Sequence, residues 1–466
     1  MKALWNSAEI EAATGGKASV PFEVSGVTFD SREVEPGHLF VAMPGTVHDG
    51  HDFVAGAFER GAVAALVSKP GAIDESWGPH VLVPDVAQAL TDMAVASRNR
   101  LGPKAVVIGV TGSVGKTSTK EALFAALERS RKGPVHRSVK SYNNHTGVPL
   151  SLARMPRDTA FAVLEMGMNR AGEIAELTRL VRPHIALVNA IAPAHIEHLG
   201  SIEAIADAKG EIFEGLEGSK VAIIPEDSEQ RDRLVRAARG KAEETVTFGR
   251  GADADVHALH AVNSSAGGSL VTARLVSSEV TFTLSQRGEH WISNSLAVLA
   301  AVEAAGGDLA AAGLALGDLG GLKGRGERHV IPVGCGEALL IDESYNANPA
   351  SMAATLKSLG DEKIEGRRIA VLGPMRELGA ESERAHAAIA EPALAAGVDQ
   401  LILIGPELEV LAKAVDGKIA VDRAKNVDEA IARLKHCLAP GDAVLVKASN
   451  SVGLARLVDA MAGGTA

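Results

Sequence analysis

The run GVTGSVGKTSTK at residues 109–120 lies directly between an apolar strand-like stretch, AVVI, and a helix-like stretch, EALFAALE. A strand, a glycine-rich turn and a helix in that order are the setting in which a parallel sheet holds phosphate. Gly112 and Gly115 let the backbone turn tightly, so that its N–H groups converge on phosphate oxygens at a helix N-terminus, where the dipole favours negative charge. Lys116 then reaches the β and γ phosphates as a point charge, and the Thr117 hydroxyl helps hold Mg²⁺. Val110 stands where the full phosphate-loop pattern has its first glycine, so the flanking strand and helix carry as much of the assignment as the GxxGKT core.

A chain of 466 residues is too long for one core and suggests about three domains of ordinary size. Apolar residues at 46% and charged residues at 23% are globular values. The net charge of -11 opposes a protein that neutralises nucleic-acid backbones, and aromatics at 3% leave few stacking platforms, so no nucleic-acid partner is expected. Anionic ligands must be met by local cations and backbone donors. Cys335 and Cys437 lie far apart without metal-ligand spacing and read as two buried thiols in a reducing compartment. The N-terminus MKALWNSAEIEAATGG lacks the continuous apolar region of a signal peptide, and no run approaches the roughly 18 residues of a membrane helix. A soluble, cytoplasmic protein without membrane insertion is expected.

Three textures divide the chain. Residues 1–98 mix strand-like runs (LFVAM, AALVS, HVLVP) with helical stretches in an α/β pattern without a phosphate loop. Residues 99–322 repeat apolar runs ahead of helices (AVVIGV, FAVLEMG, HIALVNAI, KVAIIP), the pattern of a mainly parallel sheet covered on both faces. Within them, 245–285 reads as short antiparallel strands. The glycine-rich, basic passage GLKGRGERH has the composition of a hinge. Residues 323–466 then alternate ALLIDE, RRIAVLG, QLILIG and DAVLVKAS with helices, as in a second doubly wound, Rossmann-like domain. The expected fold is therefore α/β in three domains, with a central phosphate-loop parallel sheet.

Parallel sheets place ligands beyond the C-terminal ends of their strands, which directs attention to polar residues closing apolar runs. Glu165 closes FAVLE, where a nucleotide-binding domain keeps a carboxylate for Mg²⁺, and His195 follows HIALVNAIAPA. A solvated loop carboxylate and a hydrogen-bonded structural histidine are the alternatives. Lys209, in the helix-like SIEAIADAKGEIFEGL, reads from physics alone as a surface lysine paired with acidic neighbours. SYNNHTGVP puts Asn143 and Asn144 in a turn. DESYNANP ends a strand with Asp342, Tyr345, Asn346 and Asn348 before a proline able to open a helix. Such clusters suit ribose and phosphate recognition, and they also suit turns.

Together with DSREVEPGHLFVAMPGTVHDGHDF, TGSVGKTSTK, YNNHTGVPLSL, LEMGMNRAGEI, NAIAPAHIEHLGS, IADAKGEIF, GEHWISNSLAV, LKGRGE, DESYNANPASM and VLGPMRELG, these motifs resemble the Mur ligase family over nearly the full chain. That family comprises the ATP-dependent amide-bond-forming enzymes of peptidoglycan synthesis, and so of cell-wall biogenesis, cell shape and division. The resemblance implies that Gly112, Ser113, Val114, Gly115, Lys116, Thr117 and Ser118 meet the ATP phosphates, that His290 and Asn294 meet the adenine, and that Arg325, Asp342 and Asn346 complete the nucleotide site. It makes Lys116, Glu165, His195 and Lys209 the catalytic set and Thr117, Glu165, His195 and Lys209 the Mg²⁺ site, with Lys209 matching a lysine that the family carbamylates. Ser31, Arg32, Thr46, Asp49, Gly50 and His51 match the segment holding the uridine-diphosphate part of the acyl substrate, and Asn143 and Asn144 are further substrate or phosphate contacts.

Within the family, YNANPASM matches the member type whose partners are UDP-N-acetylmuramoyl-tripeptide and D-alanyl-D-alanine, acting as a monomer through an acyl phosphate. Another Mur-type amide ligase and a phosphate-loop small-molecule kinase are the alternatives. A kinase would accumulate a phosphorylated product, whereas a ligase needs the amine before it turns over. Two positions depart from the family pattern. Pro374 stands where an acidic residue is expected, and His145 stands where an acidic residue is common; neither receives a role.

Overall fold

β-branched and aromatic runs bounded by glycine and proline become strands in each segment of the computed structural model, which describes residues 3–45, 48–69, 78–193, 196–264 and 268–463. In the first segment Gly26–Thr28, His38–Val41, Ala64–Val67 and His80–Leu82 pair in parallel in that spatial order, and Lys17–Ala18 closes the edge antiparallel. Ala64–Val67 is buried at every position, as a strand covered on both faces must be. The following helix, Val86–Asn99, starts where the Asp85 carboxylate accepts hydrogen bonds from the Ala87 and Gln88 N–H groups. This lobe is keyed to the next one. The Trp5 indole N–H donates to the Ala153 carbonyl at 2.8 Å, and the Arg100 guanidinium lies 3.9 Å over the Trp5 ring.

The central sheet has nine strands, in the order Glu279–Leu284, Ser269–Arg274, Val256–Asn263, Glu244–Gly249, Val221–Pro225, Ile185–Val188, Val106–Thr111, Phe161–Glu165 and Val135–Arg137. The strand Val106–Thr111 is flanked by Phe161–Glu165 on one side and Ile185–Val188 on the other, with Glu165 level with Val110 and Val188 level with Thr111. Chain order reverses direction across the sheet at this strand, so a crevice opens beyond its C-terminal end. The phosphate loop sits there.

The expectation of antiparallel strands over 245–285 needs correction at its start. Glu244–Gly249 pairs in parallel with both Val221–Pro225 and Val256–Asn263, and only the last three strands are antiparallel. The physical reason is burial. Val246 to Gly249 are buried in succession, as in a doubly covered strand, whereas Ser269–Arg274 alternates buried and open positions.

In the last segment Glu327–Val333 and Gly336–Glu343 form an antiparallel hairpin, which continues in parallel through Ala443–Lys447, Arg368–Leu372, Gln400–Ile404 and Ala420–Ala424. The basic glycine-rich passage is tied to this lobe. At Gly324 (φ +75°) the N–H donates to Asp342 Oδ2 at 2.8 Å, and at Gly326 (φ +85°) the N–H donates to the Asp342 carbonyl at 2.8 Å. Asn348 caps the helix Pro349–Gly360, with Pro349 opening it as its sequence position suggests. Arg287 of the central lobe and Arg328 of the hairpin both engage the buried Glu362 carboxylate, which joins the two lobes. The two cysteines are not both buried: Cys335 is exposed in the hairpin turn, and Cys437 is half-buried at the end of the helix Val427–Cys437. Among the described residues no helix is long and apolar enough to cross a membrane.

Several histidines are built in as neutral groups. His386 is fully buried, its Nε2 accepts the Met375 N–H at 2.9 Å, its Nδ1–H donates to the Ser382 carbonyl at 2.7 Å, and burial lowers its pKa. Burial pushes His136 down to about 4. Between that value and the ordinary histidine pKa near 6.5 the unfolded chain binds the proton and the fold does not, so stability falls as pH falls through this window. Urea denaturation at pH 7 and pH 5 should show a loss on the order of 2 kcal/mol from His136, absent in His136→Gln.

Candidate active site

At the end of Val106–Thr111 the chain enters a turn that a side chain would block. A Cβ at Gly115 (φ +79°) would lie 2.2 Å from Asn189 Nδ2. The helix Lys116–Arg129 then begins with no side-chain cap, which leaves its first N–H groups for an anion. Lys116 Nζ donates to the Gly112 carbonyl at 2.6 Å. Burial lowers the Lys116 pKa, the Glu165 carboxylate counters this, and Arg325 adds to it.

Glu165 is fully buried and held at three points. The Thr117 hydroxyl donates to its Oε2 at 2.9 Å, the Asn143 amide donates to its Oε1 at 2.7 Å, and its backbone N–H donates to Ser138 Oγ at 3.0 Å. A carboxylate and a hydroxyl side by side beneath a phosphate loop present hard oxygen donors of the kind Mg²⁺ takes. The far walls come from other elements. The helix Glu289–Ala304 supplies His290 and Asn294. The C-terminal lobe supplies Arg325, stacked 4.2 Å over the Tyr345 ring, and the buried Lys447, whose Nζ donates to the Asn346 carbonyl at 3.0 Å and lies 3.3 Å from Glu343 Oε2. Tyr345 also hydrogen-bonds Ser141 across the lobes. Burial lowers the pKa of both His290 and Lys447, and Glu343 opposes it in each case.

These walls enclose a cleft of about 510 Å³. Of the expected residues, Ser113, Val114, Gly115, Lys116, Thr117, Ser118, Asn143, Asn144, Glu165, His290, Asn294, Arg325 and Asn346 line it together. Gly112 lies beneath the loop and receives Lys116. Asp342 is buried under the wall, its two oxygens accepting the Gly324 and Ser344 N–H groups, so it holds the loop that carries Arg325. Asp342 also comes near Glu327 and His329, with ligand atoms within 4.8 Å of one another, but its commitment to two backbone donors explains its place. Lys209 is fully buried at the end of the helix Ile202–Gly210 and has no side-chain partner among the described residues. Burial, and then repulsion by Lys116, hold its pKa well below the ordinary lysine value. His195 and Thr46 lie outside the described residues.

The remaining expected contacts sit on the first lobe, apart from this cleft. Arg32 lines a second groove of about 520 Å³ with Glu33, Lys140 and Arg154. Ser31 begins the short turn Ser31–Glu33, where Asp30 receives the Arg32 N–H and guanidinium. Asp49 caps the turn Gly50–Phe53 and binds His51 and Lys69, while His51 Nε2 accepts the Ser68 N–H.

Asn189, Glu343 and Lys447 escaped the sequence reading although the strand-end rule reaches all three. Glu343 and Lys447 are the last residues of their strands, and Asn189 immediately follows Ile185–Val188. The Asn189 amide donates to the Val114 carbonyl at 3.1 Å and to Asn294 Oδ1 at 2.9 Å, and its Oδ1 accepts the Thr119 hydroxyl at 3.2 Å. Asn189→Ala takes a partner from the buried Thr119 hydroxyl and Asn294 amide and from the half-buried Val114 carbonyl, so calorimetric ADP titration should show affinity falling by about tenfold, with a stability loss of about 1–3 kcal/mol.

Comparison with known proteins places this geometry. Residues 23–110 match the description "Mur ligase family, catalytic domain", 110–302 "Mur ligase middle domain", and 325–450 "Mur ligase, glutamate ligase domain". The chain is 36% identical over 440 residues to the UDP-N-acetylmuramoyl-tripeptide--D-alanyl-D-alanine ligase of Escherichia coli (strain K12), covering 93% of each chain. It is 32% identical over 458 residues to the enzyme of the same name from Rickettsia prowazekii, covering 98% of this chain and 99% of that one. A crystal structure of MurF from Acinetobacter baumannii superposes with a TM-score of 0.82 at 27% identity over 98% of this chain and 99% of that one. The Thermotoga maritima MurF ligase in complex with ADP superposes at 0.76 and 27% identity, covering 94% and 97%.

Proposed function

The chain belongs to the Mur ligase family, and from that premise we propose that it joins D-alanyl-D-alanine to UDP-N-acetylmuramoyl-tripeptide at the expense of ATP, in peptidoglycan precursor synthesis. One observation carries the reading beyond the names of relatives. Thr117 and Asn143 converge on the two oxygens of Glu165 at the mouth of the phosphate loop, facing Arg325 and Lys447 from the opposite lobe. A cleft with that many cations around one carboxylate is built for anions that must be brought together.

The tripeptide carboxylate attacks the γ-phosphorus, the bond to the ADP oxygen breaks, and an acyl phosphate forms. The dipeptide amine then adds to the acyl carbon, loses its proton, and expels phosphate from the tetrahedral intermediate. Lys116 and the loop N–H groups hold the phosphates against the incoming carboxylate, and Arg325 and Lys447 offset charge from the other side. His290 and Asn294 line the side of the cleft assigned to the base, and Asn189 fixes Asn294. Holding the reactants in line is worth about 7–11 kcal/mol in well-aligned systems, and shielding from water protects the acyl phosphate from hydrolysis.

Thr117 and Glu165 fit Mg²⁺ by donor chemistry, and when bound the ion supplies neutralisation of the phosphate charge; His195 is assigned there by resemblance alone. Lys209 joins the set as a carbamate. Burial disfavours the charged form of its amine, and the neutral form adds CO₂ with an N–C bond formed and a proton lost, giving oxygen donors in place of a cation. The working units are taken as 1–98 for the uridine-diphosphate end of the substrate, 99–322 for ATP, and 323–466 for closing the site, in a monomer acting in the cytoplasm. Ser31, Arg32, Thr46, Asp49, Gly50 and His51 are assigned to the nucleotide end of the acyl substrate, and Asn144 to the cleft floor beside Asn143.

Incubation with ATP, UDP-N-acetylmuramoyl-tripeptide and D-alanyl-D-alanine, with the product read by mass spectrometry, tests the assignment. The pentapeptide is expected only when all three are present, and a panel of third residues identifies the preferred tripeptide. A phosphorylated product that accumulates without the dipeptide would point to a kinase instead.

A further inference from the structure

Lys120 lies one helical turn beyond Lys116 and is not among the residues that line the cleft. It is fully buried, and its Nζ donates to the Ser138 carbonyl at 3.1 Å and to the Lys140 carbonyl, with Glu121 at 3.0 Å. A buried ammonium spent on two backbone carbonyls of a distant loop is an expensive way to fill space. What those carbonyls belong to gives the reason. The Ser138 hydroxyl accepts the Glu165 N–H, and five residues on, Asn143 donates to the Glu165 carboxylate. Between them Lys140 and Tyr142 reach Glu33 of the first lobe, and Ser141 reaches Tyr345 of the last. The segment 138–143 therefore touches all three lobes and the catalytic carboxylate. Among the described residues, Lys120 is the charged group that fastens this segment to the phosphate-loop helix.

We infer that Lys120 is a positioning residue: by clamping the Ser138 and Lys140 carbonyls it fixes the segment that sets the orientation of Glu165. It acts through Asn143 and Ser138 and touches no reactant. This goes beyond the proposed ligation and rests on that reading only for the assay.

Lys120→Met keeps the stem and removes the charge. Glu121 retains Arg137, whose Nε lies 2.9 Å from its other oxygen, so no buried carboxylate is left unpaired. In the full-length enzyme the substitution should lower kcat by about 30-fold or more, in the range of a one-ångström misplacement, while the KM for each substrate stays within about threefold. Amide exchange across 138–143 in the ligand-free protein should rise by about tenfold, with exchange in the helix Lys116–Arg129 unchanged. Combined with Asn143→Ala, it should add little further loss, since both act on one carboxylate. Full kcat, unchanged exchange in 138–143, or losses that multiply would each overturn the assignment. If Lys120→Met does not fold, Lys120→Gln decides: a kcat loss that is non-additive with Asn143→Ala supports the linkage, and a wild-type kcat refutes it. The exchange measurement does not depend on the substrate, so failure of the proposed reaction and failure of this inference remain distinguishable.

Discussion

Replacing Lys116 by Ala should reduce kcat/KM by about 10³-fold or more while leaving a folded protein, because the side chain contributes charge where phosphate charge shifts and little to the core. Among the described residues its hydrogen bond is to the Gly112 carbonyl, in the loop itself, and the half-buried ammonium is attracted by Glu165 and, less strongly, repelled by Arg325. It also depresses the Lys209 pKa, so removing it relieves that repulsion while taking a nearby cation from Glu165. Thermal stability should therefore change little as activity disappears, a combination that a structural lysine would not give. Lys116→Arg should not rescue, since a planar fork cannot replace a compact point charge in a turn this tight. Steady-state kinetics beside a melting curve check both halves, and retained turnover in Lys116→Ala would remove the phosphate role.

Lys209→Ala should be equally inactive, but for a different reason and with a different remedy. A fully buried amine with no partner among the described residues and a pKa driven well down by burial is a poor structural element and a good acceptor of CO₂. Loss of the side chain removes buried volume that formate or acetate is expected to refill as a substitute oxygen donor. Activity should recover by about tenfold in molar carboxylate, and stripping CO₂ from the wild-type buffer should lower its turnover. The wild-type protein supplied with ¹³CO₂ should show a carbamate resonance that Lys209→Ala lacks. Normal activity in Lys209→Ala, or a wild-type enzyme indifferent to CO₂ with no such resonance, would end the carbamate assignment.

The central architecture was readable because each level of the sequence agreed with the next. AVVIGV, the glycines and the helix former run that follows predict a strand, a turn and a helix, and Val106–Thr111 and Lys116–Arg129 are found there. Glu165 was found by the rule that function collects at strand ends. The same rule reaches Asn189 and Lys447: Asn189 opens the motif NAIAPAHIEHLGS, but its partners Val114, Thr119 and Asn294 are distant in sequence, and Lys447 ends a strand with no motif around it. Lys120 was out of reach. Its neighbours Ser138 and Lys140 are distant in sequence, and only packing reveals that the lysine faces inward. Lys209 shows the reverse problem: surrounded by acidic residues on a helix it reads as exposed, yet the fold buries it. The parallel placement of Glu244–Gly249 was hidden for a related reason, since which faces of a strand are covered is decided by elements far along the chain.

The central claim is that three lobes bring one carboxylate to the γ-phosphorus of ATP. Oxygen transfer tests it most directly. With the terminal carboxylate of the tripeptide labelled with ¹⁸O, turnover in unlabelled water should place one labelled oxygen in each inorganic phosphate released, and only when D-alanyl-D-alanine is present in amounts that sustain turnover. Inorganic phosphate released at the full rate of amide formation without the label would mean that the carboxylate never joined phosphorus.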